Sequence, residues 1–213
     1  MISLLYKGGP VMAPLMICSI ISLAIIMERA VFWIRMVMRR NAHILNVILR
    51  LVEKGKLNEA IRSCKASKDT IAKILLEGIK SHDYNFVSAL EAAGSNEVNI
   101  MKKYMVVLDT IITVAPLLGI FGTVTGIIVS FGILGGGGRI DPGAVTGGIA
   151  QALITTASGL VIAIITLIPF NYYNSLIESN AQEIEKYVNA LKRAQWKYKR
   201  GGKNENKDED EEG

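Results

Sequence analysis

Residues 115–131 read APLLGIFGTVTGIIVSF. The stretch carries no charge and is apolar enough to lie in lipid, yet glycine and threonine recur through it where leucine would be the simpler choice. A helix rises about 1.5 Å per residue and the hydrocarbon core is about 30 Å thick, so about 20 uncharged residues are needed to cross it. The stretch is the middle of such a run, Thr110–Gly138, and two others meet the length: Gly8–Met27 and Pro142–Ile177, the last parted from the second only around Arg139 and Asp141. Half of the 213 residues are hydrophobic and the mean hydropathy is +0.33, which excludes a wholly soluble chain. The expectation is an all-α integral membrane protein with three transmembrane helices.

The first run has only Lys7 before it, no small-x-small cleavage site after it, and ERAVFWIRMVMRR directly following, so it reads as a retained span rather than a signal peptide. Of 24 Lys and Arg, 13 lie between Arg35 and Lys103 and 8 after Ile177. The positive-inside rule then puts the N-terminus and the Arg139 loop outside and the C-terminus in the cytoplasm. The same cations are interleaved with acids and flank the spans, so the net charge of +5 points to anionic lipid headgroups and not to nucleic acid. Cys18 falls in a span and Cys64 in the cytoplasmic part, so no disulfide is expected. No residue spacing suits a metal, a cofactor or a nucleophile with its base, which excludes an enzyme reading.

These signals divide the chain into a first span over 1–34, a cytoplasmic helical domain over 35–104, the second and third spans over 105–177, a cytoplasmic helix over 178–200 and a charged tail, read as disordered, over 201–213. Within the second part, Ile44, Val47, Ile48 and Leu51 have helical spacing, two further amphipathic helices follow, and Asp69 is a candidate cap for DTIAKILLEGIKS. No proline interrupts residues 86–109, so the second transmembrane helix is expected to start well inside the cytoplasm and run unbroken into the membrane. Pro169 is the expected kink in the third. GGGGRIDPG, residues 135–143, follows a helix rather than a strand and reads as a tight outer turn, not a phosphate cradle. His43 and His82 read as surface residues.

In the second span Thr113, Pro116, Gly119, Thr123, Gly126 and Ser130 step by three or four and share one face. The third offers two adjacent stripes, one through Gly148, Gln151, Thr155 and Ser158, the other through Ala152, Thr156, Gly159, Ala163 and Thr166. Small residues let helices approach closely in lipid, and Pro116, Gly119, Gly122, Gly126 and Gly159 are expected to serve packing. Buried hydroxyls and amides in a membrane also face partners or hydrated paths, and Thr123, Thr155, Thr156, Gln151 and Ser158 are the candidates to line one. No Asp, Glu, Lys, Arg or His lies in the middle of either span, so any titrating group must come from elsewhere. Asp109, at the cytoplasmic edge of the second span, either guards an exit or pairs with a nearby lysine.

APLLGIFGTVTGI followed by GGIAQALITTASGLVIAIITLIPFNYYN resembles the MotA/TolQ/ExbB proton-channel family, with weaker likeness in MERAVFW and LNEAIRSC. Three spans resemble its ExbB and TolQ branch more than its flagellar branch. The resemblance implies a homopentamer in the bacterial inner membrane, its second and third spans facing a pore that holds the helices of two ExbD- or TolR-like single-span partners, which bring the titrating aspartate. It carries Thr123 onto the threonine of the family's GTV motif and Thr156 onto the threonine after its AL motif. One departure stands out: nearer relatives have Glu where this chain has Gln151. Gln151 and Thr156 also differ by about 140° around the helix axis, which points them at different neighbours. The function implied is that of an ion-channel subunit of a motor driven by the proton motive force and working on the cell envelope. The alternatives are a non-conducting membrane scaffold and a sodium-driven or motility motor of the same family, sodium being raised by the paired hydroxyls of Thr155 and Thr156.

Overall fold

The computed structural model describes residues 9–81, 85–135 and 142–211; His82 and the Arg139 loop lie outside the described residues. The described residues form seven helices and no strand: α1 Met12–Met38, α2 Ala42–Glu53, α3 Leu57–Ala66, α4 Thr70–Lys80, α5 Phe86–Met101, α6 Met105–Gly135 and α7 Pro142–Glu211. Three of the helical stretches are long and apolar enough to cross a membrane, built around α1, α6 and the first half of α7. The chain divides into two compact units, one of residues up to Ala30 with Tyr104–Asn174, the other of Val31–Lys103 with the residues from Ser175 onward.

In the first unit α1 starts after Gly9, whose φ of +70° is open to glycine and strained for other residues. Val11, Met12 and Leu15 then bury against Ile111 and Ala115 of α6, with Cys18, Leu118 and Ile162 packed around them. Further along, the Tyr173 hydroxyl of α7 donates to the Ile26 carbonyl at 2.9 Å. Arg29 is buried, donates to the Glu28 carboxylate at 2.7 Å and lies over the ring of Tyr104, 5.6 Å from its centroid.

Tyr104 corrects one expectation. The helix entering the second span is not continuous: α5 ends at Met101, residues 102–104 form a turn, and α6 begins at Met105. Tyr104 has φ +66°, which costs a residue with a Cβ roughly 1–2 kcal/mol. A cation over its ring contributes an offset of comparable size, about 0.5–2 kcal/mol. No glycine or proline marks the break, because it is held by a side chain from α1.

In the second unit the short helices pack through one stripe each. That of α2 buries Leu45, Ile48 and Val52, and Val47 is exposed. The buried face is therefore turned from the Ile44–Val47–Ile48–Leu51 stripe read from spacing. Asp69 caps α4, as expected, its carboxylate accepting from Ile71 N at 2.8 Å, and its other oxygen accepts from Asn41 N, also at 2.8 Å. One buried carboxylate thus satisfies orphan N–H groups at the heads of both α2 and α4. Asp69→Ala is expected to cost about 2 kcal/mol of this unit's stability and Asp69→Asn, which keeps one acceptor, about half of that, read from thermal unfolding of the purified protein.

Arg40 donates to Asn180 Oδ1 at 2.7 Å and pairs with the Glu183 carboxylate, fastening the segment after α1 to α7. Cys64 is buried, and desolvation pushes its thiol up to about 11. At pH 8 about one molecule in a thousand carries the reactive thiolate there, so Cys64 should resist alkylation by maleimide until denaturant is added. His43 is exposed, as expected. The backbone of α7 stays helical across Pro169 and on to Glu211, through residues expected to begin a disordered tail at 201. No proline follows Pro169, and the two glycines at 201 and 202 alone do not stop the helix.

Candidate functional site

The small-residue stripes meet as an antiparallel seam between α6 and α7 within the first unit. A Cβ on Gly119 would stand 3.0 Å from Thr156 Cα and one on Gly126 2.9 Å from Ala152 Cβ; one on Gly159 would overlap the Ala115 carbonyl oxygen. These are backbone-close approaches at Gly119, Gly126 and Gly159 that larger residues would prevent. Gly122 does the same against the side chain of Thr155, while Pro116 sits half-buried one residue beyond Ala115.

Most hydroxyls on the seam turn back on their own helix. Thr155 donates to the Gln151 carbonyl at 2.9 Å, Ser158 to Ile154 at 2.8 Å, Thr166 to Ile162 at 2.8 Å and Ser130 to Gly126 at 2.9 Å. Such bonds satisfy the hydroxyl at little cost to the helix and carry no interhelical information. Thr123 and Thr156 differ. Their hydroxyls meet across the seam as hydrogen-bond partners, and Thr156 also donates to the Gly119 carbonyl at 2.8 Å. Thr123 lies within 3.3 Å of the Gly119 carbonyl oxygen and 3.4 Å of that of Ala152. Two hydroxyls and two carbonyl oxygens therefore share one patch, in which one proton can be donated to more than one acceptor.

The candidates expected to line one path are thus divided. Thr123 and Thr156 form the cross-helix cluster and are half-buried. Thr155, one residue away, is 1 % exposed beneath Gly122. Gln151 lies on a different side, where its amide end abuts Gly9 and lines a cavity with Thr125, Gly122 and Val129. The angular offset between Gln151 and Thr156 read from the sequence has this consequence. Thr125 is the site residue that sequence reasoning passed over; the signal was present in the i, i+3 spacing of Gly122 and Thr125. Asp109 is exposed on α6, its backbone carbonyl accepting from Thr113 Oγ1 at 3.0 Å. Among the described residues no group of His, Cys, Asp and Glu is placed to hold a metal ion.

The sequence pattern of the MotA/TolQ/ExbB proton channel family matches residues 66–186, more than half of the chain and all of this seam. The chain belongs to that family. Its likeness lies in the ExbB and TolQ branch. It is 38 % identical over 175 residues to a protein of Synechocystis named putative biopolymer transport protein ExbB-like 3, a match covering 79 % of this chain and 82 % of that one. It is 29 % identical over 152 residues to the biopolymer transport protein ExbB of Neisseria gonorrhoeae, covering 63 % and 69 % of the two chains. With the Tol-Pal system protein TolQ of Haemophilus influenzae it shares 32 % identity over 100 residues, 47 % of this chain and 44 % of that one. As a member, the chain is a multi-pass membrane protein and an energy-transduction subunit of a proton-channel family, which is a family of channels and not of enzymes.

Proposed function

We propose that this chain forms the wall of an ion path in a motor of the bacterial inner membrane, with its N-terminus outside and its C-terminus in the cytoplasm. Several copies, five by family likeness, surround a pair of single-span ExbD- or TolR-like helices. The Thr123–Thr156 cluster borders the path, and the partner's carboxylate takes up and releases the proton. Asp109 stands at the cytoplasmic end. Passage of one charge through 100 mV releases about 2.3 kcal/mol, enough to bias a conformational step of the partner that is transmitted to the envelope.

The observation carrying this reading is the combination of a cross-helix hydroxyl pair with second and third spans whose middles hold no Asp, Glu, Lys, Arg or His. Hydroxyls orient and pass a proton but do not store one near neutral pH, so the wall needs a partner that does. The reading is tested in vesicles holding this chain with and without the single-span protein co-purified with it. Proton flux is expected only with both, and to vanish when the partner's membrane carboxylate becomes an amide. Full flux through the chain alone would overturn the reading.

A further inference from the structure

Tyr104 is the residue on which α6 begins. Its carbonyl accepts the first backbone bonds of that helix, from Val107 N at 3.1 Å and Leu108 N at 3.3 Å, which makes Tyr104 the N-cap. The stripe that follows, Met105, Leu108, Ile111 and Ala115, is buried and leads on to Gly119 at the seam. Thr123 stands about 28 Å along the same helix, so the rotation with which α6 starts is also the rotation of its hydroxyl.

An N-cap leaves the helical region, most often for extended backbone that any residue adopts. Tyr104 leaves it at φ +66°, in the left-handed region, which its Cβ disfavours. The local sequence does not ask for this. Met101, Lys102, Lys103 and Met105 are ordinary helix formers, and left to themselves they would carry α5 into α6 without a break. The second helix would then inherit the rotation of the first.

Arg29 opposes that outcome. It follows the uncharged run Gly8–Met27 directly after Glu28 and is 2 % exposed. A guanidinium withdrawn from water at the end of a lipid-length helix is costly, and such residues mark functional positions. Glu28 balances its charge at 2.7 Å, and the Tyr104 ring lies beneath it, 5.6 Å away at the centroid. Returning residue 104 to the right-handed region would swing the ring off the cation.

We infer that Arg29 is a positioning residue for the Thr123–Thr156 cluster. By holding the Tyr104 ring it maintains the left-handed N-cap, which frees α6 to start in the rotation that the glycine seam requires. It acts through the backbone of Tyr104 and not on the proton. The inference rests on the proposed role of the threonine cluster and adds a residue, on another helix, that keeps one of its hydroxyls in place.

The test uses the full chain with its co-purified partner in vesicles. At position 104 glycine adopts a positive φ without strain, whereas alanine keeps the strain and loses the ring. Tyr104→Gly should therefore hold proton flux within about threefold of the native chain. Tyr104→Ala should lower it about tenfold or more, the scale of a misplaced reacting group. Arg29→Met should lower it alike, and adding Tyr104→Gly to Arg29→Met should restore it. Equal flux in Tyr104→Ala and Tyr104→Gly would overturn the inference, as would an Arg29→Met chain that conducts normally or that glycine does not rescue. Should Arg29→Met fail to assemble, the alanine and glycine variants at 104, made with Arg29 in place, decide the matter. If Thr156→Val in the same vesicles loses flux while those two variants are equal, the positioning role alone is wrong. If Thr156→Val conducts normally, the role of the threonine cluster falls and the inference with it.

Discussion

Thr156→Val is expected to lower partner-dependent proton flux about a hundredfold while leaving the assembled complex intact, the scale set by removing a positioned proton-transfer group. Valine matches threonine in shape, so the seam keeps its packing. The lost hydroxyl leaves no polar group stranded: the Gly119 carbonyl is still within 3.3 Å of Thr123 Oγ1. An interhelical hydrogen bond in a membrane contributes about 0.6 kcal/mol on average, less than a factor of three in any assembly equilibrium. Flux and assembly should therefore separate cleanly. Thr156→Ser should restore most of the flux. Thr166→Val is the matched control, because Thr166 is fully buried in the same helix but donates only to its own Ile162 carbonyl. The measurement is pH-dye flux in vesicles beside size-exclusion profiles of the same preparations. Wild-type flux through Thr156→Val would remove the hydroxyl pair from the path.

The second large effect is structural. Gly159→Ala is expected to destabilise the first unit by about 2 kcal/mol, in the range for forcing a methyl into a filled site. The added Cβ meets the Ala115 carbonyl oxygen and the Gly119 Cα, and backbone cannot rotate away as a side chain would. For a chain of this length that corresponds to a fall of roughly 4–8 °C in the unfolding midpoint of the detergent-solubilised protein. Gly147→Ala, in the same helix with nothing within 4 Å of its Cβ, should leave the midpoint unchanged or raise it slightly, since alanine is the better helix former by about 1 kcal/mol. Equal midpoints for the two variants would mean that the α6–α7 approach is looser than the structure has it. Gly122→Ala should fall between them, because its obstacle is the side chain of Thr155, which has rotamers to use.

Both predictions depend on residues whose type was legible in the sequence and whose geometry was not. The face carrying Gly119, Thr123 and Gly126 is visible in the spacing, and so is the lack of any charge in the middle of the spans. Asp69 was legible as a cap because capping needs only the local order of residues. The break at Tyr104 was not, since the ring that stabilises its backbone conformation is met by Arg29, 75 residues earlier in the chain. The buried face of α2 was misjudged because Ile44, Leu45, Val47 and Ile48 are all apolar, and their neighbours decide which of them faces inward.

What the sequence by itself determined depends on length, period and residue type: helices long enough to cross lipid, the sides on which small and hydroxyl residues gather, and the absence of Asp, Glu, Lys, Arg and His from the middle of the second and third spans. Those are properties of a single helix in a solvent. Only the tertiary structure decided that Thr156 meets Thr123 while Thr155, its neighbour, is sealed under Gly122, and that Gln151 turns to α1 and a cavity. Adjacent residues point about 100° apart, so their roles are assigned by the rotation and register of α7 against α6. Contacts as close as those at Gly119 and Gly159 set both, and they exist only once the two helices have met.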